Sequence, residues 1–475
     1  MFTKKTIIIF FSISLVVCRI IGTQLIGIYD DAFITYRYAE NFANGQGFVY
    51  NPGEWFLGVT TPAFGFICSV FSLMGLPIPT MAILFNILLE LLILIITINI
   101  LFKHESLITG FIFSILYISS PIITRICVGG MEMNLYILLT LLIIILYSTN
   151  KKYSAYILAG LSYFVRPEAI LLIVVLTVFD LISEKNYKMI KYPIVSAIVI
   201  FIPLLITYFY YEQFLPQSVI AKSGLSDRNL YIFFSKLIFN DVFCIVAFPL
   251  TIFGYWKIRT KHKIIKLLGF WVLMIILAYF ISGKKIWTWY GAPVHYVFFI
   301  FASIGTEIIV NKLYKGEFFN RKLVFLSIAV LPVLFWLTIF LYMRENPVEK
   351  NIFSPLKEFC SKTGLNNKDS IFANDIGALG YFSKAYIYDS ESLISNVFSK
   401  YPNAKEFILN KLPEYLFLNL NRYNMLMVNS FELRNRYIAI ERFSKAGEKK
   451  LNPNPKKLTD TWIQDYILYK RISKH

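Results

Sequence analysis

Long apolar runs, separated by short loops rich in lysine and arginine, constrain the fold of this chain most. The run from residue 80 to 102 holds one acid and no basic residue. A helix that crosses a bilayer needs about 20 apolar residues. Apolar residues make up 57% of the 475 residues and charged ones only 16%, which lies outside the range of soluble domains. The sequence therefore predicts a polytopic α-helical membrane protein.

The net charge of +18 would also suit a protein that binds nucleic acid. However, the lysines and arginines fall mostly in short loops between apolar runs and in the C-terminal quarter. Because such loops tend to stay in the cytoplasm, we interpret the charge as a sign of membrane orientation and predict no nucleic-acid partner. The five cysteines lack CxxC spacing and the four histidines are scattered, so no disulfide framework or zinc site is predicted.

The first apolar run, residues 6–28, follows Lys4 and Lys5 and is too long for the apolar core of a signal peptide. We predict a retained transmembrane helix with the N-terminus in the cytoplasm and an outer loop over residues 29–61. The next run, residues 62–77, is short and bounded by prolines, so we expect it to lie at the outer interface.

The apolar stretch 153–181 is interrupted by Arg166-Pro167-Glu168, and we divide it into two short helices that form a hairpin. This division leaves the lysine-rich segment 183–191 in the cytoplasm, where basic loops belong. The remaining spans are predicted at residues 80–102, 106–124, 133–147, 192–211, 230–256, 267–282, 293–310 and 323–342. The total is about eleven spans.

The tail after the last span differs in composition from the rest of the chain. It alternates polar stretches with strand-like runs such as "SIFAND" and "EYLFLNL". We therefore predict two domains, a transmembrane module over residues 1–342 and a small extracytoplasmic α/β domain over residues 343–475. The charged loops of interest all fall on the outer side of this topology.

Two adjacent acids, Asp30 and Asp31, begin the stretch "DDAFITYRYAENFA", which is typical of an amphipathic juxtamembrane helix over residues 30–43. Arg37 lies seven residues after Asp30 and shares its face. The acids could cap this helix and do nothing more. Alternatively, one carboxylate is a general base, and the second raises its proton affinity or holds a divalent ion.

Three further charged residues stand where apolar runs meet. Glu132 follows two glycines at a helix start, where a helix-dipole carboxylate and a site residue are equally expected. Arg166 and Glu168 are costly between two apolar halves unless they face a cavity or each other, which favours a functional site over a structural pair at the hairpin tip.

Cations and aromatic residues also occur in two predicted outer loops. Lys222 lies in "LPQSVIAKSG", and Lys284 is followed closely by Trp289 and Tyr290. A polyprenyl-phosphate ligand would need such cations near the head groups, together with apolar walls. Solvated lysines and an interfacial aromatic belt explain the same residues without any ligand.

Five stretches in order carry a family resemblance: "DDAFITYRYAENFANGQGFVYNPGE", "GGMEMNLYILL", "LSYFVRPEAILL", "YYEQFLPQSVIAKSG" and "NDIGALGYF". Together they resemble the membrane glycosyltransferases of the GT-C fold, in particular the cell-wall arabinofuranosyltransferase-like group and its bacterial relatives. The resemblance extends from residue 28 to about 382. It implies an enzyme of the bacterial cytoplasmic membrane that takes a sugar from a polyprenyl-phosphate donor and inverts the anomeric centre.

The resemblance also implies roles for individual residues. Asp30 would be the base, Asp31 the neighbouring essential acid, and Glu132 the acid after the third helix. Arg166 and Glu168 match the Arg-Pro-Glu of the family, and we expect Arg166 or Lys222 to steady the departing phosphate. No cofactor is required, although a divalent ion at Asp31 stays open.

One departure from the family concerns "WFLGVTTP" at residues 55–62, where Leu57 and Thr61 replace an acid and an asparagine. An arabinose donor is therefore not assumed, and the acceptor can be a glycan, a lipid or a protein. The alternative function is a transporter or flippase for a lipid-linked saccharide, which should carry charges near the membrane midplane. We expect none there, because the charges gather at the outer ends of the helices.

Overall fold

The computed structural model describes residues 3–184, 187–214, 216–218, 229–239, 241–258, 262–283, 285–314, 333–339, 350–395, 401, 403–419, 426–443 and 466–472. The chain divides into two compact units. The helical unit comprises residues 1–25, 82–207 and 222–345, and the mixed unit comprises residues 26–81, 208–221 and 346–475. The outer loop thus joins the C-terminal residues in one unit, and the predicted boundary between residues 342 and 343 remains a prediction.

Helices dominate the part of the chain that the structure describes. In chain order they are α1 (Lys4–Leu25), α2 (Asp30–Ala43), α3 (Pro62–Leu73), α4 (Ile78–His104), α5 (Leu107–Ser119), α6 (Pro121–Val128), α7 (Met133–Ser148), α8 (Lys152–Ser162), α9 (Ala169–Glu184), α10 (Lys191–Tyr211), α11 (Leu230–Leu237), α12 (Val242–Ile258), α13 (Lys263–Ser282), α14 (Ala292–Tyr314), α15 (Lys350–Thr363), α16 (Gly377–Ser383), α17 (Ala404–Lys411) and α18 (Phe431–Arg434). Short 3₁₀ turns lie at Tyr187–Ile190 and Thr288–Gly291.

Within the described residues, five helical segments are long and apolar enough to cross a membrane. They are Lys4–Leu25, Ile78–His104, Lys188–Tyr211, Lys263–Ser282 and Thr288–Val310. Helices α5 and α6 make a sixth if their 62° bend lies within one span. The helical, multi-pass class is confirmed, while the total of eleven spans stays a prediction.

The helix boundaries test several predictions directly. The predicted helix over residues 30–43 is confirmed as α2, and the division at Arg166-Pro167-Glu168 is confirmed because these residues lie between α8 and α9. The single helix predicted over residues 230–256 is wrong. The chain breaks after α11, and Asp241 accepts a hydrogen bond of 2.8 Å from the amide of Phe243 at the start of α12. The predicted span at 323–342 lies outside the described residues except for the helical stretch 333–339.

In the helical unit, α12 and α14 cross at small residues. A Cβ atom on Gly254 would overlap the carbonyl oxygen of Phe301, and one on Gly305 would overlap that of Leu250. In a membrane the hydrophobic effect does not drive helices together, so helices associate through close packing, which small residues allow. This crossing explains why the two apolar runs carry glycines in their middle.

A buried ion pair ties α1 to α4. Both oxygens of Glu90 accept hydrogen bonds from Arg19 at 2.5–3.0 Å, and both side chains have no solvent exposure. Arg19 also donates to the Thr124 hydroxyl and the Ile118 carbonyl oxygen, at 2.7 and 2.8 Å. Glu90 stands in the middle of α4, so the expectation of no charge within the spans is wrong. The pair is possible there because each charge is neutralised by hydrogen-bonded partners.

The mixed unit contains a five-stranded sheet of β1 (Ser370–Ala373), β2 (Tyr386–Asp389), β3 (Tyr415–Asn419), β4 (Tyr437–Phe443) and β5 (Tyr466–Arg471). The strand order is β2-β1-β3-β5-β4. β1 runs parallel to β2 and β3, whereas β5 runs antiparallel to β3 and β4. The predicted small C-terminal α/β structure is therefore present.

Helix α16 connects β1 to β2, and a core of Phe372, Phe407, Leu416 and Leu433 packs beside the sheet. Parallel strands place their carboxyl ends at one edge, where polar side chains of α/β folds often gather. Here Asn374 and Asp375 follow β1, and the Asn374 side-chain oxygen accepts a hydrogen bond of 3.1 Å from the Asn419 amide at the end of β3. The structure therefore concentrates polar groups at this edge.

Candidate functional site

In the mixed unit, the Asp30 carboxylate is bound by the first turn of α16. It accepts hydrogen bonds from the amides of Gly377 at 2.9 Å and Ala378 at 2.8 Å. The residue preceding α2 is Tyr29, whose side chain makes no capping bond. One alternative was that Asp30 caps its own helix, α2. The structure shows instead that its carboxylate accepts hydrogen bonds from the free amides at the start of α16.

Two glycines of "NDIGALGYF" allow this contact. A Cβ atom on Gly377 would overlap the backbone carbonyl oxygen of Asp30, and one on Gly380 would overlap the hydroxyl of Tyr50. That hydroxyl donates a hydrogen bond of 2.6 Å to the Ile376 carbonyl oxygen. The outer-loop motif and the C-terminal motif thus form one packed arrangement.

A second carboxylate, Asp375, stands near Asp30. Its Oδ2 atom accepts hydrogen bonds from the Tyr466 hydroxyl at 2.5 Å and from the side-chain Nδ2 of Asn374 at 3.0 Å. Burial raises the pKa of Asp30 to about 8, and the charge of Asp375 adds to the rise, while the two amide bonds oppose it. A carboxyl group with a pKa near neutrality can exchange a proton under physiological conditions.

Asp31 occupies the first turn of α2 beside Asp30 and is partly exposed. Its charge contributes to the raised pKa of Asp30. Among the residues that the structure describes, no group of three His, Cys, Asp or Glu side chains is arranged to hold a metal ion. The divalent ion at Asp31 remains an untested expectation.

Arg37 is buried, with 2% exposure, and is bound by protein acceptors. Its guanidinium donates to the carbonyl oxygens of Tyr50, Gly380 and Ala385 at 2.7–2.8 Å, and to the Asn51 side-chain oxygen at 3.3 Å. It also lies over the Tyr50 ring, 4.2 Å from the centroid. These contacts give Arg37 a structural role, and the substrate contact expected for it stays an untested prediction.

In the helical unit, the structure brings Glu132, Arg166 and Glu168 together. Arg166 donates to Glu132 Oε1 at 2.7 Å and to the two oxygens of Glu168 at 2.6 and 3.1 Å. Glu132 directly precedes α7, and the other two residues lie in the break between α8 and α9. We call these three residues the Arg166 cluster.

Two tyrosines extend the Arg166 cluster. The hydroxyl of Tyr279, near the end of α13, donates a hydrogen bond of 2.8 Å to Glu168 Oε1. The Tyr279 ring stacks on the Tyr290 ring, with centroids 5.4 Å apart. The Arg166 guanidinium lies over the Tyr290 ring, 4.9 Å from its centroid. Tyr290 was expected at the site and is found beside Arg166.

Trp289 and Lys285 lie in the same segment. Trp289 is 9% exposed and stacks parallel to Trp287, and the Lys285 ammonium lies 4.4 Å from the Trp287 ring centroid. The remaining predicted cations, Lys222 and Lys284, lie outside the described residues. In the described part of this segment, a cation thus contacts an aromatic face, which fits both the ligand site and the aromatic belt considered for it.

Sequence reasoning missed two contributors. Asp375 lies within the recognised stretch "NDIGALGYF" but was not singled out, although an acid before a glycine-rich helix start was a visible signal. Tyr279 lies in a continuous apolar run that offers no such signal. Both owe their position to contacts between residues far apart in the chain.

Comparison with known proteins adds the following. A family model described as "Domain of unknown function (DUF8728)" matches residues 354–466. None of the curated proteins matches the chain. Among solved structures, ArnT from Cupriavidus metallidurans in the apo state superposes with a TM-score of 0.64 at 11% identity, covering 97% of each chain.

ArnT from the same organism bound to undecaprenyl phosphate gives a TM-score of 0.62 at 10% identity, again covering 97% of each chain. The arabinofuranosyltransferase AftD from Mycobacteria gives a TM-score of 0.46 at 11% identity, covering 98% of this chain and 40% of AftD. At these identities the likeness to ArnT concerns the fold, over nearly the full length of both chains. The chain therefore shares the fold of ArnT, and the predicted GT-C fold is confirmed.

Proposed function

We propose that this chain is an inverting glycosyltransferase that transfers a sugar from a polyprenyl-phosphate donor to an acceptor hydroxyl. The acceptor belongs to a glycan, a lipid or a protein of the cell envelope. The observation that carries the proposal is the full-length GT-C fold together with the Asp30 carboxyl group, whose pKa is raised toward neutrality. The similar fold of ArnT, which was solved bound to undecaprenyl phosphate, supports a lipid-linked donor.

In this proposal Asp30 is the general base. Its ionised carboxylate takes the proton of the acceptor hydroxyl, and the hydroxyl oxygen attacks the anomeric carbon of the donor. The bond between that carbon and the phosphate oxygen breaks, and polyprenyl phosphate departs with the bonding electrons. Attack from the face opposite the phosphate inverts the anomeric centre. The amides of Gly377 and Ala378 fix the carboxylate for this step.

Lysines are better suited than Arg166 to steady the departing phosphate. The guanidinium of Arg166 already binds two carboxylates, whereas Lys285 is partly exposed beside Trp287. Lys222 and Lys284 are the other lysines we expect to contribute. We assign the Arg166 cluster to substrate binding.

The reaction is proposed for the outer face of a bacterial cytoplasmic membrane. The lysines at the N-terminus and in the loop before α10 support a cytoplasmic N-terminus, and parity over the eleven proposed spans then assigns residues 343–475 to the outer side. A cysteine introduced at Lys188 should resist a membrane-impermeant thiol reagent in intact cells. Labelling of Lys188→Cys would contradict this orientation.

The enzyme class is tested with purified protein in liposomes and a panel of labelled undecaprenyl-phosphate pentoses and hexoses. Envelope extracts serve as acceptors. We expect transfer of one sugar, release of one undecaprenyl phosphate per transfer, and a product whose anomeric configuration, read by NMR, is opposite to that of the donor. Retained configuration would contradict direct displacement. No transfer from any donor, with protein shown to be folded, would contradict the enzyme class and leave the transporter alternative.

A further inference from the structure

The charges of the Arg166 cluster do not suit an anion. One guanidinium is shared by two carboxylates, so the cluster carries one positive and two negative formal charges. A lipid phosphate placed there would face net negative charge in a poorly solvated setting, where repulsion is strong. The cluster is instead suited to a ligand that donates hydrogen bonds.

The exposure of the three side chains identifies the group that a ligand can reach. The side chain of Glu132 is 2% exposed and that of Arg166 6%, whereas that of Glu168 is 18% exposed. Glu168 is therefore the member of the cluster that faces accessible space. A carboxylate oxygen is an acceptor, and hydrogen bonds to charged groups are stronger than neutral ones.

Tyr279 fixes the orientation of this carboxylate. Its hydroxyl donates to Glu168 Oε1, which also accepts a hydrogen bond of 2.6 Å from Arg166. The Tyr279 ring packs on Tyr290, and Trp289 meets Tyr290 edge to face with centroids 6.1 Å apart. The oriented acceptor thus lies beside aromatic rings, a combination typical of small-ligand sites that orient a partly apolar ligand.

We propose that Glu168, held by Arg166 and Tyr279, accepts a hydrogen bond from a sugar hydroxyl of the lipid-linked donor, and that Tyr279 is a positioning residue for this contact. The inference rests on the proposed function and deepens it, because it assigns the cluster to the sugar and not to the lipid phosphate. Tyr279 acts through Glu168 and need not touch the substrate. The rings of Tyr290 and Trp289 supply the apolar side of the same subsite.

The experiment compares two ligands that differ only in the sugar. Binding of undecaprenyl phosphate and of the undecaprenyl-phosphate sugar used best in transfer is measured by tryptophan fluorescence on protein in nanodiscs. We expect Tyr279→Phe and Glu168→Gln to weaken binding of the sugar-linked lipid roughly 10-fold or more, as the loss of a hydrogen bond to a charged group predicts. Binding of bare undecaprenyl phosphate should change less than about 2-fold, because by this inference its phosphate contacts lie elsewhere.

Tyr147→Phe is the matched control. The Tyr147 hydroxyl donates a hydrogen bond of 2.6 Å to Asp180, so this variant also removes a tyrosine–carboxylate bond from the helical unit. It should bind both lipids as the wild type does. If losing a tyrosine–carboxylate bond acts only by loosening the packing of the helical unit, Tyr147→Phe will weaken lipid binding as the test variants do. The proposal requires that only the test variants lose affinity, and only for the sugar-linked lipid.

The outcomes separate the two levels of the proposal. If the wild type transfers sugar but Tyr279→Phe and Glu168→Gln keep their preference for the sugar-linked lipid, the sugar subsite is overturned and the enzyme class stands. Equal weakening of both lipids would also overturn it, because the cluster would then serve the phosphate. A wild type that binds neither lipid and transfers no sugar would overturn the proposed function itself.

Discussion

The Asp30 carboxylate accepts hydrogen bonds from the backbone amides of Gly377 and Ala378, which are separated from it by almost 350 residues of chain. The first residue of α2 is thereby joined to the first turn of α16. Asp30 is thus both a structural link within the mixed unit and the proposed base. Variants at this contact can separate the two roles.

Removing the space that Gly377 provides should break this contact. The added methyl group of Gly377→Ala would overlap the Asp30 carbonyl oxygen, so α16 must shift. We expect a loss of about 3 kcal/mol in the free energy of unfolding, at the upper end for overpacked sites. The control is Gly53→Ala, whose Cβ meets nothing within 4 Å and costs only the strain of its φ of +87°. Equal stability of Gly377→Ala and the wild type in denaturant titrations would contradict this packing.

Asp30 and Asp389 should each contribute stability that falls as the pH rises. The pKa of Asp30 is raised to about 8 and that of Asp389 to about 7, in each case chiefly by burial. The folded state therefore holds protons that the unfolded state has released, and stability present below about pH 4 is lost progressively up to about pH 8. Apparent melting temperatures measured across this range should decline, and Asp30→Asn should make the decline shallower.

Glu432 provides a control for this pH dependence. It is exposed, and its pKa is lowered to about 2, chiefly by its hydrogen bond with Lys405. Its contribution is present above the ordinary pKa of a glutamate and is lost only as the pH falls toward 2. Glu432→Gln should therefore leave the slope between pH 5 and 8 unchanged. A slope that Asp30→Asn does not alter would contradict the raised pKa of Asp30.

Arg37 should be required for stability in a way that lysine cannot replace. Its planar guanidinium serves three carbonyl oxygens and one side-chain oxygen at once, and a lysine cannot reproduce that geometry. We expect Arg37→Lys to lower the free energy of unfolding by about 3 kcal/mol, because buried carbonyl groups lose their donors. Calorimetry or denaturant titration measures the change. Wild-type stability in Arg37→Lys would show that water replaces these bonds.

The buried pair of Arg19 and Glu90 should behave non-additively. Replacing one partner leaves an uncompensated charge among apolar helices, which costs about 3–5 kcal/mol, whereas replacing both by apolar residues of similar size is often neutral. We expect Arg19→Met and Glu90→Leu to destabilise the protein singly and the double variant to recover most of the loss. Thermal unfolding in one detergent gives all four values. Additive losses would contradict a structural pair.

Local sequence patterns predicted the elements that depend only on residues close together in the chain. The acids, aromatic spacing and polar face of residues 30–43 predicted α2 to the residue, and the cost of charge between apolar runs identified Arg166 and Glu168. The partners of Arg37 could not be predicted, since Gly380 and Ala385 are brought to it by chain folding. The same holds for Tyr279, which resembles any other aromatic residue of a membrane span. The break before Asp241 was missed although the polar pair Asn240-Asp241, a typical helix-start signal, interrupts the apolar run there.

The rate of sugar transfer by Asp30→Asn tests the central claim most directly. Wild type and variant are compared in single-turnover transfer from a labelled undecaprenyl-phosphate sugar, with Asp389→Asn as the control. Asp389 is a buried carboxylate of the mixed unit that, like Asp30, accepts hydrogen bonds from backbone amides, but it has no proposed part in catalysis. Loss of a general base predicts a rate lower by roughly 10²–10⁴-fold in folded Asp30→Asn, with the control close to wild type. Transfer by Asp30→Asn at the wild-type rate would contradict the account.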